Sequence, residues 1–251
     1  MAISCVGIQK SIGVTNLGKL IGRFVVVTTA ICFTNKKNTM KDIKITYYYD
    51  ALCGWCYGFS PVFNQIYAEY QSKITFDVVS GGLFLGNRVG PINEVAPYIK
   101  AGAYKTVEST TGVKFGKGFI ENGLEQGKMM LNSLYPAIAL CIVKADYPEH
   151  TVAFAGLLHQ AFYVDGMDPV KVDGYAAYAA SLGIDTAEFN EKMKNPVYEQ
   201  HALAEFSFAG QQGLGGYPAL VLEVDGKREV LSSGYVSYAV LKGKVDFVLG
   251  R

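Results

Sequence analysis

The pattern of hydrophobic and polar residues predicts a strand, a helix and a second strand close together in the chain. Residues 43–49 are β-branched or aromatic at most positions, which is typical of a β-strand. Residues 74–79 have the same character and end at a Ser-Gly-Gly sequence. Between these strands, apolar side chains recur on one helical face, at Phe59, Val62, Phe63, Ile66, Tyr67 and Tyr70. This order predicts a βαβ unit with a parallel strand pair.

From about residue 93 to residue 208 the pattern becomes helical. Residues 131–143 are apolar nearly all round and predict a buried helix. Thr151 is a candidate N-cap for the helix that follows. An Asp-Pro pair predicts the start of a further helix over residues 168–182. Residues 84–130 are rich in glycine and lysine, and we expect them to form loops and short helices.

Strand patterns return near the C-terminus. Residues 219–224 lead into Asp225-Gly226, which is a strong signal for a two-residue hairpin, and residues 227–232 supply the paired strand. Residues 238–248 are compatible with a last helix. The predicted fold class is therefore α/β, with one sheet built as β-α-β and β-β-α and interrupted by a large all-helical insertion.

This order predicts the domain boundaries. Residues 40–90 and 213–251 form the sheet domain, and residues 91–212 form the inserted helical domain. Residues 1–39 are predicted to be an N-terminal extension outside the fold, from an over-long assigned start, and a signal peptide is the alternative. The first interpretation predicts a cytoplasmic protein and the second a periplasmic one. The apolar run within the extension, residues 24–33, is too short for a stable membrane span.

The net charge and the cysteine content exclude some classes of protein. The net charge is +1 and no basic run stands out, which argues against a nucleic-acid partner. The cysteines are odd in number and irregularly spaced, which argues against a disulfide framework; they are Cys5, Cys32, Cys53, Cys56 and Cys141. Cys141 lies in an apolar run and is predicted to be an inert buried thiol. No pattern in the sequence indicates the oligomeric state.

The spacing of Cys53 and Cys56 permits them to form a reversible disulfide. They follow a strand and open a helix, where unpaired N–H groups and the helix dipole favour a thiolate. Cys53, at the exposed edge, is predicted to attack a substrate disulfide, and the more buried Cys56 is predicted to resolve the mixed disulfide. A zinc site would need four ligands, and none of His150, His159 and His201 forms a ligand pair with another cysteine. We therefore expect no metal, and His159 is expected to be an ordinary helix residue.

A second signal is the Gly-Gly-Tyr-Pro-Ala sequence of residues 215–219, just before the returning strand. A proline at this position is often only the boundary of a strand. A cis bond between Tyr217 and Pro218 would instead present the backbone of Tyr217 to a peptide that pairs as an added strand. Trp55, the only tryptophan, adjoins the cysteine pair. Trp55, Tyr217 and Pro218 are thus the predicted substrate-binding residues.

The chain resembles the DsbA family of thioredoxin-fold disulfide oxidoreductases, and most closely its FrnE-like branch. The resemblance covers roughly residues 43–249 and includes the sequences at residues 50–58, 80–83 and 135–137. It implies a thioredoxin fold with a helical insertion, and thiol–disulfide exchange with protein substrates through the two cysteines and a cis-proline. It implies no cofactor beyond the Cys53–Cys56 disulfide, with glutathione as an optional redox partner.

Two departures from that family pattern affect the expected chemistry. Many thioredoxin-fold enzymes have a buried acid six residues before the first cysteine, and this chain has Tyr47 there. The residues between the cysteines are Gly54 and Trp55, without the histidine that makes some members strong oxidants. We therefore expect a less oxidising pair than in those members.

Two other functions stay open at the level of sequence. Proteins similar to 2-hydroxychromene-2-carboxylate isomerase and kappa-class glutathione transferases share the inserted-helix plan. They typically use a serine near the position of Cys53, so the intact cysteine pair argues against them. The second of these functions is that of a chaperone or adaptor that binds peptides without using the thiols.

Overall fold

The strands of the main sheet come from both ends of the region that the computed structural model describes, residues 42–251. The strands are β1 (Ile43–Tyr49), β2 (Thr75–Ser80), β3 (Gly90–Pro91), β4 (Met130–Leu131), β5 (Ala219–Val224) and β6 (Lys227–Ser233). Four of them form a sheet with the order β2-β1-β5-β6, and β3 pairs with β4 in a separate ribbon. β1 and β2 are parallel, as predicted, whereas β1 is antiparallel to β5 and β5 to β6.

Helices cover the sheet and fill the sequence between β2 and β5. They are α1 (Gly54–Tyr70), α2 (Ile92–Val95), α3 (Tyr104–Thr111), α4 (Leu134–Asp146), α5 (Thr151–Tyr163), α6 (Tyr175–Ala180), α7 (Thr186–Met193), α8 (Pro196–Gly210) and α9 (Tyr238–Leu249). Two π-helical turns, Ile99–Ala103 and Phe119–Glu125, lie between α2 and β4. In the described part of the chain, no helix is both long and apolar enough to cross a membrane.

Strand β1 lies at the centre of the sheet, and its side chains alternate between two apolar layers. Tyr47 and Tyr49 face the larger core cluster, which includes Phe59 and Phe63 of α1. Tyr48 faces a smaller cluster with Ala209 at the end of α8. The sheet is therefore buried on both faces of β1, which explains the nearly continuous apolar sequence of this strand.

The hairpin between β5 and β6 confirms the prediction from Asp225-Gly226. Both residues have positive φ angles, 50° for Asp225 and 79° for Gly226, as a two-residue turn of this type requires. The paired strands on either side run from Ala219 opposite Ser233 to Val224 opposite Lys227.

A group of charged residues fixes β2 to the helical insertion. The Lys144 Nζ of α4 lies 3.1 Å from Asp77 Oδ1 and 2.5 Å from Glu205 Oε1. Glu205 Oε2 accepts a hydrogen bond of 2.8 Å from the backbone N–H of Ser80. Burial acts to raise the pKa of Asp77, but Lys144 and Lys44 outweigh it and hold that pKa below its usual value. These contacts position the turn that follows β2.

Two local predictions are wrong. Thr151 is not an N-cap: it lies inside α5, and its hydroxyl donates to the backbone carbonyl of Pro148. No continuous helix runs over residues 168–182, because Asp168 Oδ1 instead accepts the N–H of Val170 and holds a turn. Only α6 is α-helical in this range. The predicted extension, residues 1–39, lies outside the described residues.

Candidate active site

The two cysteines of the C-x-x-C sequence lie where β1 passes into α1. Cys53 is the N-cap residue of α1, and its Sγ accepts a hydrogen bond of 3.3 Å from the backbone N–H of Cys56. The N–H of Cys53 donates to the carbonyl of Asp50 at 3.0 Å and closes the turn before the helix. Both cysteines are free thiols in this structure. A sulfur at an N-cap faces the helix N–H groups, which favour negative charge on it.

The sequence-based expectation that Cys53 lies at an exposed edge needs correction. Cys53 is 6% exposed and Cys56 is completely buried. Cys53 is covered because the loop that carries Tyr217 packs over it, but it still lines an open cavity. Burial raises the pKa of Cys56 well above its usual value, and the hydrogen bond and charge of Cys53 add to this. The two thiols thus differ in access: Cys53 lines the cavity and Cys56 does not.

Tyr217 links the cysteine pair to the loop before β5. The peptide bond between Tyr217 and Pro218 is cis. The Tyr217 carbonyl oxygen lies 3.6 Å from Cys53 Sγ and accepts its S–H. The Tyr217 hydroxyl donates to the carbonyl of Gly81 at 3.0 Å. A Cβ atom at Gly81 would lie 2.1 Å from the Tyr217 ring, so only glycine permits this contact.

The cavity beside Cys53 has a volume of about 440 Å³ and mostly apolar walls. Its aromatic lining residues are Trp55, Tyr98, Tyr104, Phe115, Tyr163 and Tyr217. Arg88 is the cationic residue of the lining. The cavity therefore joins residues from the C-x-x-C turn, the inserted helices and the loop before β5.

The structure places two of the three predicted substrate-binding residues in the wall of the cavity and the third outside it. Trp55 and Tyr217 line the cavity with Cys53, and Trp55 is 37% exposed. Pro218 is not part of the lining; its carbonyl accepts the N–H of Gly234 at 2.7 Å. Tyr98, Tyr104 and Phe115 were missed because residues 84–130 have no period that assigns a face to each side chain.

Sequence reasoning also missed the roles of Asp50 and His159. Asp50 is 2% exposed, and its carboxylate accepts hydrogen bonds from Leu52 N at 2.9 Å and Leu83 N at 2.7 Å. His159 is 1% exposed, with its Nε2 3.4 Å from the Asp50 carbonyl oxygen. Burial lowers the pKa of His159 to about 4, so the ring is neutral at pH 7. The sequence signal for Asp50 was its place shortly before Cys53, where an Asp side chain can accept the backbone N–H two residues on and form an Asx turn.

Tyr47 does not replace the missing buried acid. Its side chain is buried, and its hydroxyl lies 3.4 Å from the carbonyl oxygen of Cys56 and donates to it. Burial raises the pKa of Tyr47 well above its usual value, with further contributions from the charges of Cys56 and Cys53. Tyr47 is therefore neutral across the physiological range.

Within residues 42–251, no group of three or more His, Cys, Asp or Glu side chains is arranged to hold a metal ion.

A sheet of this order, a C-x-x-C sequence at the start of α1 and an X-Pro bond facing it define a thioredoxin-fold thiol–disulfide oxidoreductase. Comparison with protein families agrees with this class. The chain belongs to the family of DSBA-like thioredoxin domains, whose sequence model matches residues 44–246. The resemblance to DsbA proteins inferred from the sequence is thereby confirmed. A comparison with curated proteins gave no match.

Solved structures with the same fold cover most of this chain. A candidate protein disulfide isomerase from Nitrosomonas europaea is 27% identical, with a TM-score of 0.72 over 83% of this chain and 98% of that one. The cytosolic disulfide reductase DsbM from Pseudomonas aeruginosa is 24% identical, with a TM-score of 0.67 over 82% of this chain and 98% of that one. DsbM was also solved with GSH; that structure is 21% identical, with a TM-score of 0.67 over 83% of this chain and 100% of that one. A 2-hydroxychromene-2-carboxylate isomerase is more distant, with 13% identity and a TM-score of 0.54 over 83% of this chain and 95% of that one.

Proposed function

We propose that this oxidoreductase exchanges disulfides with protein substrates through Cys53 and Cys56. The observation that carries the proposal is the unequal access of the two thiols: Cys53 lines the cavity, while Cys56 is completely buried behind it. An attacking thiol must reach a substrate, whereas a resolving thiol needs only to reach its neighbour.

The proposed reaction has two steps. The thiolate of Cys53 attacks a substrate disulfide, which forms a Cys53–substrate bond and releases one substrate thiolate that takes up a proton. Cys56 then loses its proton and attacks Cys53 Sγ, which forms the Cys53–Cys56 disulfide and releases the second substrate thiol. The substrate is reduced by two electrons and the cysteine pair is oxidised by two. The pair returns to the dithiol when a small thiol such as glutathione is oxidised.

The geometry supports a different proposed role for each of the surrounding groups. The Cys56 N–H, 3.3 Å from Cys53 Sγ, stabilises negative charge on the attacking sulfur. The carbonyl of Tyr217, 3.6 Å from the same sulfur, lies where a substrate backbone would pair in an extended conformation. Trp55 and the aromatic cavity walls would hold an apolar substrate segment beside the sulfur. We propose that glutathione serves as the reductant, because the fold neighbour DsbM was solved with GSH.

Trapping of the mixed disulfide tests this mechanism. A Cys56→Ser variant should accumulate a covalent complex with an oxidised protein such as insulin, since the resolving thiol is gone. Peptide mapping should locate the bond at Cys53. Cys53→Ser is the matched control and should trap nothing. Absence of the Cys53 adduct in Cys56→Ser, with the fold intact, would contradict the proposed roles.

An isomerase or glutathione transferase is the second candidate function. The observation that favours it is the apolar cavity of about 440 Å³, which would accommodate a small aromatic molecule next to Cys53. Such an enzyme would not need Cys56. Glutathione-dependent turnover of a small aromatic substrate at an unchanged rate in Cys56→Ser would favour this function over disulfide exchange.

The proposed compartment is the cytoplasm. The support is the fold likeness to DsbM, which is a cytosolic disulfide reductase. A signal peptide within residues 1–39 would instead give a periplasmic enzyme. N-terminal sequencing of the mature protein distinguishes the two: a start at Met40 fits an over-long assigned start and a cytoplasmic enzyme, whereas a start at a cleavage site within residues 1–39 fits a signal peptide.

A further inference from the structure

One positive charge lies in the wall of the cavity beside Cys53. Arg88 is the cationic residue of the lining, and no Asp or Glu of the described residues takes part in it. Within residues 42–251, Arg88 forms no salt bridge. The cavity therefore presents a cation without a counterion of its own to a molecule that approaches Cys53.

The loop after β2 holds Arg88 in place. The N–H of Leu83 donates to the carboxyl group of Asp50 at 2.7 Å, shortly before the cysteine pair. The N–H of Arg88 donates to the carbonyl of Leu85 at 3.0 Å and closes a short helical turn. The guanidinium carbon lies 5.5 Å from the centre of the buried Phe84 ring, which is a cation–π contact. These contacts restrict the positions that the guanidinium group can take.

Tyr98 lies near both Arg88 and Cys53. Its side chain lines the same cavity. Burial raises the pKa of Tyr98, the charge of Arg88 opposes this rise, and a charge on Cys53 adds to it. A charge acts on a titrating group mainly when the two are close together. A small ligand that is bonded to Cys53 and extends past Tyr98 would therefore meet Arg88.

These features suit a small thiol that carries a carboxylate. A guanidinium group binds a carboxylate through two parallel hydrogen bonds. The cavity volume of about 440 Å³ is in the range of small-molecule sites. Gly215 and Gly216 line the cavity, and a Cβ at either would meet no atom within 4 Å, so this wall leaves room for a peptide backbone. Glutathione combines a thiol, a peptide backbone and carboxylates.

We propose that Arg88 binds a carboxylate of glutathione while the glutathione sulfur reacts with Cys53, so that the cysteine pair selects glutathione over thiols without a carboxylate. This inference rests on the proposed exchange function with glutathione as the reductant. It adds the residue that recognises this reductant.

The step in which Arg88 acts is the reduction of the Cys53–Cys56 disulfide. A glutathione thiolate attacks Cys53 Sγ, which forms a glutathione–Cys53 disulfide and releases the Cys56 thiolate, and this thiolate takes up a proton. A second glutathione thiolate attacks the bound glutathione sulfur, which forms glutathione disulfide and releases the Cys53 thiolate, and this also takes up a proton. The cysteine pair gains two electrons, and two glutathione molecules lose them.

The test compares glutathione with its diethyl ester, which has the same thiol but no free carboxylate. Each rate constant for reduction of the oxidised full-length protein is divided by the rate constant of the same thiol with hydroxyethyl disulfide, which cancels the intrinsic reactivity. The wild type should prefer glutathione about fivefold, the size expected of a partly exposed ion pair. The preference should shrink at high sodium chloride concentration, because salt screens the charge.

Substitution of Arg88 should change this preference. In Arg88→Gln the ratio should fall to about one, whereas Arg88→Lys should keep part of the preference, because lysine retains the charge without the planar fork. Lys105→Gln is the matched control. Lys105 is an exposed cation 5.8 Å from the centre of the Tyr104 ring but is not part of the lining, so the ratio should stay at the wild-type value. A damaged fold would slow both reductants alike and leave the ratio unchanged.

The outcomes separate this inference from the proposed function. A wild-type ratio near one, or a wild-type ratio in Arg88→Gln, would overturn the role of Arg88 alone. An equal loss of preference in Lys105→Gln would show a general attraction of anions and would also overturn it. Slower insulin reduction by Arg88→Gln with an unchanged glutathione ratio would assign the cation to an acidic protein segment instead. A wild-type protein that never forms the Cys53–Cys56 disulfide would overturn the proposed function and the inference with it.

Discussion

At the scale of single residues, the site depends on side chains that are buried in unusual states. Cys56 is a completely buried thiol, Tyr47 is a buried phenol and His159 is a buried neutral imidazole. Each is stable in its uncharged form because burial penalises the charged one. The carboxyl group of Asp50 is also buried, and it accepts hydrogen bonds from Leu52 N and Leu83 N.

His159 should make the stability of the protein depend on pH. Its pKa falls from 6.5 to about 4 on folding, because the ring is buried. As the pH drops from about 6.5 toward 4, the unfolded state binds a proton and the folded state does not, so the free energy of unfolding decreases. The expected loss is roughly 3 kcal/mol.

Denaturant unfolding of the wild type and of His159→Gln at pH 7 and at pH 4 measures this contribution. The variant cannot titrate at this position, so the wild type should lose roughly 3 kcal/mol more than the variant over this interval. The comparison cancels the carboxylates that titrate in both proteins. An equal loss in the two proteins would show that His159 is already accessible to protons in the folded state.

At the scale of elements, the junction of β1 and α1 could be predicted because its signals are local. The strand residues, the helix period and the two cysteines all lie within residues 43–70. The Asp50 network could not be predicted, since Leu83 and Ser133 are 33 and 83 residues away in sequence. The helix predicted over residues 168–182 was wrong because the side chain of Asp168 favours a turn over a helix start.

The contact between Gly81 and Tyr217 joins the turn after β2 to the loop before β5. In Gly81→Ala, the new Cβ would overlap the Tyr217 ring, because the nearest ring atom lies 2.1 Å from the position that an ideal Cβ would take. The ring must move, and the Tyr217 carbonyl beside Cys53 moves with it. We expect the rate of insulin reduction to fall about tenfold, which is the effect of losing about 1.4 kcal/mol of transition-state stabilisation.

The matched control for Gly81→Ala is Gly210→Ala at the end of α8. A Cβ at Gly210 meets no atom within 4 Å, so this exchange should leave the rate of insulin reduction unchanged. Thermal unfolding separates a loss of function from a loss of fold, because overpacking at Gly81 should cost about 1–3 kcal/mol of stability. A fully active Gly81→Ala variant would show that the position of Tyr217 does not matter for exchange.

At the scale of the whole molecule, the site is assembled from parts that are far apart in sequence. The cysteines come from the first βα unit, Tyr217 comes from the return to the sheet, and the aromatic walls come from the helices between them. One core cluster connects α1 with the inserted helices and includes residues that line the cavity. The β-α-β and β-β-α order and the cysteine pair were predictable from sequence. The cavity was not, because its walls depend on how the insertion packs.

The most direct test of the central claim is a redox titration of the full-length protein in glutathione buffers, with thiol alkylation and peptide mapping. Cys53 and Cys56 should convert together between dithiol and disulfide, as one two-electron pair whose ratio follows [GSH]² over [GSSG]. Cys141 should not take part, because burial raises its pKa to about 12. Cys53 and Cys56 that remain thiols throughout, or that acquire glutathione independently of each other, would contradict the account.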